Sequence, residues 1–154
     1  MFKKLIQFGA DLVALHTLQS EYKFASWQSK KAERSPFNQD IVRFVEGSNG
    51  KQMGKLTKNC YQEKENNLYL DNKTIPDGSH FSGLNIKIWE YFVGSYQICY
   101  KWLYDRRAKK GIKGKVLTDA EITTFIDLTT SINQTLMIME QIDNYINDNG
   151  GFPL

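Results

Sequence analysis

Ile88-Trp89-Glu90-Tyr91-Phe92-Val93-Gly94-Ser95-Tyr96-Gln97-Ile98-Cys99-Tyr100-Lys101-Trp102-Leu103-Tyr104-Asp105-Arg106-Arg107 changes its apolar period part-way along. Trp89, Tyr91 and Val93 alternate, as one face of a short strand would. After Gly94, residues Tyr96, Cys99, Tyr100, Leu103 and Tyr104 recur at helical spacing. Gly94 is therefore expected to mark a strand-to-helix corner, since glycine can take a positive φ or let another backbone pass close by. A chain that turns here from sheet to helix should carry strands before this point and helices after it.

Upstream, the short β-forming runs Ile41 to Val45, Leu56 to Gln62 and Leu68 to Leu70 are separated by Gly47-Ser48-Asn49-Gly50, Glu65-Asn66-Asn67 and Pro76-Asp77-Gly78. That grammar describes a small, mostly antiparallel sheet. Further back, residues 24 to 40 are polar and contain Ser35-Pro36, so they read as irregular. Before them, Leu5, Phe8, Leu12, Leu15 and Leu18 lie three or four apart, which predicts an amphipathic helix from residue 2 to about 22.

Downstream, Ala108 to Lys115 is a basic loop punctuated by glycine. Thr118-Asp119-Ala120-Glu121 then forms a capping box, with Thr118 as cap and Glu121 reaching back to it. A long helix follows. Its stripe is Ile122, Phe125, Ile126, Thr129, Ile132, Leu136, Met139, Ile142 and Ile146, ending at Asn149-Gly150-Gly151. The expected fold class is α+β: a small antiparallel sheet flanked by an N-terminal helix, a corner helix and a long C-terminal helix. We expect a single domain over 1–154, with a leading helix at 1–23, a sheet region at 41–93 and a helical region at 94–154.

Composition bounds what such a chain can do. With 154 residues, 41% hydrophobic and 13% aromatic, folding hides roughly 70% of the surface of the extended chain. No stretch approaches the roughly eighteen apolar residues that a membrane helix requires. Lys3 and Lys4 precede Leu5 and Ile6, but Gln7 and Asp11 interrupt the apolar run and no small-residue cleavage site follows. A cytoplasmic location is expected, with no membrane partner. Cys60 and Cys99 are too few for a disulfide framework and have no Cys or His companions at metal-ligand spacing, so they read as buried or half-buried thiols.

The formal net charge of +3 is unevenly spread. Lys101, Arg106, Arg107, Lys109, Lys110, Lys113 and Lys115 stand against Asp105 alone between residues 101 and 115, a local excess of six, so the remainder is net negative. Two readings of this patch stand side by side. It suits contacts to phosphates, which supply most of the sequence-independent affinity for DNA. It also suits a solvated helix end, where Lys and Arg are favoured by the helix dipole.

Several kinds of chemistry lack their motifs. The prolines are Pro36, Pro76 and Pro153, so the Pro-Pro core of the amino-methyltransferase motif is missing. The lysines that follow glycine, Lys51, Lys55 and Lys115, have neither the earlier glycine nor the trailing hydroxyl residue of a phosphate-binding loop. Pro76-Asp77 is not followed by the acidic-x-Lys of a nuclease and reads as a turn. His16 sits on or beside the first helix's stripe, and His80 beside a strand; neither has a carboxylate at a telling spacing, and both read as structural. No catalytic residue and no metal ligand is assigned, and the chain is not expected to be an enzyme in its own right.

The string Trp89-Glu90-Tyr91-x-Val93-Gly94-Ser95-Tyr96-Gln97-Ile98-x-x-Lys101-Trp102-Leu103-x-Asp105-Arg106 resembles a signature of the C-terminal DNA target-recognition region of single-polypeptide type I (type ISP) restriction-modification enzymes, which are N6-adenine DNA methyltransferases. Phe2 to Leu5 and Gly9 to His16 resemble the family's helix that leads from the methyltransferase module into the recognition region. Asn67 to Lys73 resembles a family strand, and Thr135, Leu136, Met139, Ile142 and Asp143 resemble its closing helix. The resemblance covers most of the chain and is weakest over residues 24 to 60. Ser95 departs from it, because a second glycine is usual there.

The resemblance implies that this chain recognises a sequence in double-stranded DNA. Upstream methyltransferase and helicase modules of a larger enzyme would carry out adenine methylation, translocation and cleavage. S-adenosylmethionine, ATP and magnesium would serve that parent enzyme, and no cofactor would belong to this chain. On this reading Arg106, Arg107, Lys109, Lys110, Lys113 and Lys115 hold phosphates. The loops around 47 to 59 and 71 to 80 approach base edges, with Asn49, Lys51, Gln52, Lys55, Lys58, Asn59, Asn72 and Lys73 carrying groups that can pair with adenine and guanine. Trp89, Gly94, Tyr96, Gln97, Trp102 and Asp105 are expected to be scaffold, with Tyr96, Gln97, Trp102 and the aromatics of the corner helix, Tyr100 and Tyr104, mainly in the core, since a motif shared by readers of different sequences suits a scaffold. The alternative from another class is a protein-interaction module that docks through its amphipathic helices, its basic loop merely solvated.

Overall fold

Four short strands pair antiparallel in the order β1–β4–β3–β2, which places the fourth strand of the chain inside the sheet. They are β1 (Arg43–Val45), β2 (Tyr61–Gln62), β3 (Asn67–Tyr69) and β4 (His80–Ser82). The computed structural model describes residues 2–16 and 41–151, with side chains at 3–13 and 41–151. Phe81 faces Phe44 on one side and Leu68 on the other. Its ring meets Phe44 edge-on at 5.2 Å. The β2–β3 connection ends on Asn66, whose φ of 55° lies in the left-handed region that asparagine tolerates better than most residues. The expected helix beyond His16 and the irregular stretch at 24 to 40 lie outside the described residues, as does the His16 side chain.

The sheet differs from the expectation at two points. β4 was not among the expected strands: it is three residues long with one large apolar side chain, too short for alternation to show. The run Leu56 to Gln62 is mostly not strand, because Lys58–Cys60 forms a 3-10 turn and only Tyr61–Gln62 pairs. Thr57 and Asn59 favour that turn, since short polar side chains offer the backbone local partners.

The glycine corner also resolves differently. Asn85 accepts a hydrogen bond from the Ile88 amide at 3.1 Å and caps a short helix, α2 (Ile86–Trp89), so Trp89 ends a helix turn instead of opening a strand. A two-stranded hairpin follows, β5 (Phe92–Val93) and β6 (Tyr96–Gln97), and α3 (Ile98–Tyr104) starts directly after it. Gly94 is the first of the two loop residues, with φ +59°, where a type II′ turn requires a positive value; Ser95 has no positive φ. A second glycine is therefore unnecessary, and the Ser95 departure leaves the turn intact.

Two longer helices complete the described chain, α1 (Phe2–His16) and the 30-residue α4 (Asp119–Asp148). The expected capping box is present: the Glu121 amide donates to Thr118 Oγ1 at 3.2 Å, and the Thr118 amide donates to Glu121 Oε2 at 3.1 Å. At the other end the Gly151 amide returns to the Ile146 carbonyl at 2.9 Å. No described helix is long and apolar enough to cross a membrane.

The chain divides into two compact units, Asp40–Thr130 and Met1–Gln39 with Ser131–Leu154. In the first, the core gathers Val42, Met53, Leu68, Leu70, Phe81, Leu84, Ile88, Leu103, Leu117 and Phe125. Phe125 lies between the sheet and α3, 4.4 Å from the Phe81 ring and 5.1 Å from that of Trp102. Cys60 and Cys99 are free and buried there, and burial pushes the Cys99 thiol up to about 12. In the second unit, Leu5, Phe8 and Leu12 of α1 are half-buried while Ile6 and Val13 face outward, and Ile132 and Ile146 of α4 are buried.

Candidate nucleic-acid interface

One end of the four-stranded sheet collects the loops after β1 and β3, while the Glu65–Asn67 turn lies at the other end. Val45 pairs with His80 and Tyr69 pairs with His80, so the segments leaving β1 and β3 and entering β4 start side by side. They are then tied together. The Ser48 amide donates to the Asp77 carbonyl at 2.9 Å, and the Gly47 amide to Ser79 Oγ at 2.7 Å. Asp71 Oδ1 accepts from the Lys55 and Lys73 amides, both at 3.2 Å, which fixes the second loop against the first.

The segment Lys51 to Gly54 carries this block across to the basic loop. The Gly54 amide donates to the Leu70 carbonyl at 3.0 Å, while the Gly54 carbonyl accepts from the Ala108 amide at 2.9 Å. The Met53 amide donates to the Lys115 carbonyl at 2.9 Å and the Leu117 amide to the Lys51 carbonyl at 2.8 Å. Lys51 also bonds the Asp119 carboxylate, which raises the ammonium pKa. The basic loop is therefore a tongue with a fixed root. Its tip is a tight turn in which Lys109 and Ile112 exchange two backbone hydrogen bonds of 3.0 Å, with Gly111 at φ +77° as a type II turn requires at its third position.

The six expected phosphate ligands fall into two groups. Arg106 donates through Nε to Glu121 Oε1 at 3.2 Å and through a terminal nitrogen to the Trp102 carbonyl at 2.8 Å, and its guanidinium lies 3.7 Å from the Trp102 ring centre. Lys115 reaches the same Glu121 oxygen at 2.6 Å. Together with the Thr118 amide these donors hold the Glu121 carboxyl down at about 2, the Lys115 hydrogen bond contributing most. Arg107 stacks on Tyr104 and donates to its carbonyl at 2.6 Å. Lys109, Lys110 and Lys113 are exposed and, among the described residues, form no ion pair. Lys109 still lies close enough to Asp105 to help lower that carboxyl's pKa.

The expected base readers divide in the same way. Asn49 is used internally, accepting from the Ser79 amide at 2.7 Å and donating to the Gln52 carbonyl at 3.0 Å. Gln52 donates to the Met53 and Gly114 carbonyls, which braces the tongue's root. The side-chain oxygen of Asn72 is buried without a partner, so that group is turned inward. Lys55, Lys58, Asn59 and Lys73 are exposed, with side chains that make no hydrogen bond or ion pair among the described residues. They sit on the two loops that Asp71 clasps together and on the 3-10 turn beside them. The expectation that residues up to 80 form a reading loop needs correction, because Ser79 is buried and His80 belongs to β4, where its ring lies 4.7 Å from that of Tyr69.

The signature residues have structural work in most cases. Trp89 is buried and stacks on Tyr61 at 5.3 Å, and Gln97 donates to the Trp89 carbonyl at 2.7 Å, closing the hairpin onto α2. Asp105 pairs with Lys101 one helical turn away, which lowers its pKa. Two aromatics expected in the core are not there: Tyr96 is 59% exposed, because it sits beside the tip of the β5–β6 hairpin with Phe92 and Val93 exposed nearby, and Tyr104, which carries the Arg107 guanidinium on its ring, is 38% exposed. The dipeptide Gly94-Ser95 between two β-forming pairs was the available signal for that hairpin. Ile112, 64% exposed among the tongue's lysines, had no signal beyond its neighbours.

Comparison with curated proteins and with solved structures gives no match. The family model for the type ISP C-terminal specificity domain matches residues 1–141 of the 154, so the chain belongs to the type ISP C-terminal specificity domain family.

Proposed function

We propose that this chain selects the DNA site on which a type ISP restriction-modification enzyme acts. Adenine methylation, ATP-driven translocation and cleavage fall to other modules of the same polypeptide, in the cytoplasm, with S-adenosylmethionine, ATP and magnesium serving those modules. The observation that carries this reading, beside family membership, is the joining of a basic tongue, whose Lys109, Lys110 and Lys113 form no ion pair among the described residues, to two polar loops through the Lys51–Gly54 segment. Lys109, Lys110 and Lys113 hold phosphates, with Arg107 beside them. Lys55, Lys58, Asn59 and Lys73 reach base edges, lysine to guanine and asparagine to adenine. Arg106, Lys115, Asn49 and Gln52 build the platform instead of touching DNA.

Selection from a randomised duplex pool at two salt concentrations tests this. Enrichment of one short asymmetric sequence, with affinity falling steeply as salt rises, is the expected result. Binding without enrichment removes the specificity claim, and absence of binding removes the DNA claim. A docking module is the competing reading, favoured by the exposed Ile6 and Val13 of α1 and by Phe92, Val93 and Tyr96 on the hairpin. Capture of a partner protein that is insensitive to salt, with no retention of DNA, is its signature.

A further inference from the structure

The tip of the tongue holds an apolar side chain where a phosphate-binding loop has no need of one. Ile112 is 64% exposed, and Lys109, Lys110 and Lys113 surround it in sequence with no ion pair among the described residues. A flexible loop would fold such a side chain back onto the protein. Here the two Lys109–Ile112 backbone bonds fix the turn, and the Lys115 amide bonding the Arg106 carbonyl at 2.9 Å fixes its root. Arg106 is itself locked by Glu121 and the Trp102 ring. Isoleucine is also stiff at its first side-chain torsion, so it loses little freedom when it is inserted into a partner.

We propose that Ile112 is a wedge that enters duplex DNA between base pairs and opens a kink, while Lys109, Lys110 and Lys113 neutralise the phosphates on either side. This rests on the reading of duplex DNA as the partner. The occupant is argued from charge: three lysines with no ion pair among the described residues flank one aliphatic group in sequence, and the duplex presents phosphates flanking an apolar base stack. Aliphatic wedges with basic flanks unstack base steps in this manner, from the minor groove, and bend the duplex toward the major groove. A specificity domain gains discrimination from such a step, because the ease of kinking depends on the sequence being kinked.

The test uses the full chain and a short duplex labelled at both ends with an energy-transfer pair, with 2-aminopurine replacing adenine at successive positions. The wild-type chain is expected to shorten the end-to-end distance and to brighten 2-aminopurine at one step. Ile112→Ser is expected to abolish both signals and to weaken binding by at least about tenfold, the affinity lost when a buried aliphatic side chain is removed. Its urea midpoint should match wild type, since Ile112 contributes nothing to the core.

Wild-type binding without shortening or brightening, or an Ile112→Ser chain indistinguishable from wild type, overturns the wedge and leaves the DNA reading standing. No wild-type binding to the duplex overturns both. Retention on phosphatidylserine vesicles that is lost in Ile112→Ser, with the duplex left straight, overturns the wedge in favour of an anionic membrane surface.

Discussion

Glu121 accepts hydrogen bonds from Arg106, Lys115 and both the amide and hydroxyl of Thr118, which makes it a side-chain hub of the tongue's root. Its carboxyl is held at about 2, against an ordinary value of 4.5. A depressed carboxyl stabilises the fold fully above its unfolded value, and that contribution disappears as pH falls through the folded value. Urea denaturation of the wild type should therefore show stability declining between about pH 5 and pH 2, following those two values. Glu121→Gln should lack this part of the decline and be about 1 kcal/mol less stable at neutral pH, from the loss of the charged cap. An unchanged pH profile would place the acid sensitivity elsewhere. The Thr118–Glu121 half of this cluster was legible in the sequence because a capping box spans three residues. The Arg106 and Lys115 half was not, because only the folded tongue brings them to the same oxygen. The same limit applies to Asn49 and Gln52, whose amides look like base readers until their partners Ser79 and Gly114 are known.

At the level of elements, the tongue separates cations paired within the fold from cations left exposed. Replacing Lys109, Lys110 and Lys113 together by alanine should leave the urea midpoint unchanged, since none of them pairs within the fold among the described residues. The dependence of log affinity on log salt should become shallower by about 2.7, three phosphate contacts at about 0.9 each. Arg106→Ala should do the reverse, lowering stability by about 1 to 3 kcal/mol through the loss of a stacked, hydrogen-bonded guanidinium. Filter binding across a salt series, with denaturation as control, separates the two, and an unchanged slope in the triple variant would remove the tongue from the interface. Elements with many repeats of their period were readable from sequence, as with α1 and α4. The two-residue strands were not, since a period of two needs more than two residues to appear. The corner at Gly94 shows how the reading failed there. Trp89, Tyr91 and Val93 do alternate, but the Asn85 cap and the Gly94-Ser95 turn break that run into a helix turn and a hairpin.

At the largest scale, Phe125 is one place where an apolar interior meets a charged rim. In the Asp40–Thr130 unit, Phe125 lies 4.4 Å from Phe81 of the sheet and 5.1 Å from Trp102, and the Arg106 guanidinium lies 3.7 Å from the Trp102 ring. Sheet, corner helix and tongue are thus packed through a fully buried ring. The α+β class and most of the closing helix's inward stripe could be read from composition and spacing, but Met139, expected on that stripe, is 46% exposed and Thr135 is buried instead. The convergence of three loops at one sheet end could not, because it follows from β4 lying between β1 and β3. Phe125→Ala should cost about 3 to 5 kcal/mol, the range for an emptied aromatic site in a core. Against total stabilities of about 5 to 15 kcal/mol, that is enough to bring this unit close to unfolding. The loss should appear as a lower urea midpoint in the fluorescence of Trp89 and Trp102, read in a Trp27→Phe background. DNA affinity should fall with it, because the tongue's root loses the ring on which Arg106 rests. Phe125→Leu keeps much of the volume and should retain most of both. If Phe125→Ala lost stability but kept full DNA affinity in conditions where it remains folded, the packed core and the tongue would be energetically independent, and the tongue's geometry would be set by Glu121 and the backbone bonds to the Lys51–Gly54 segment.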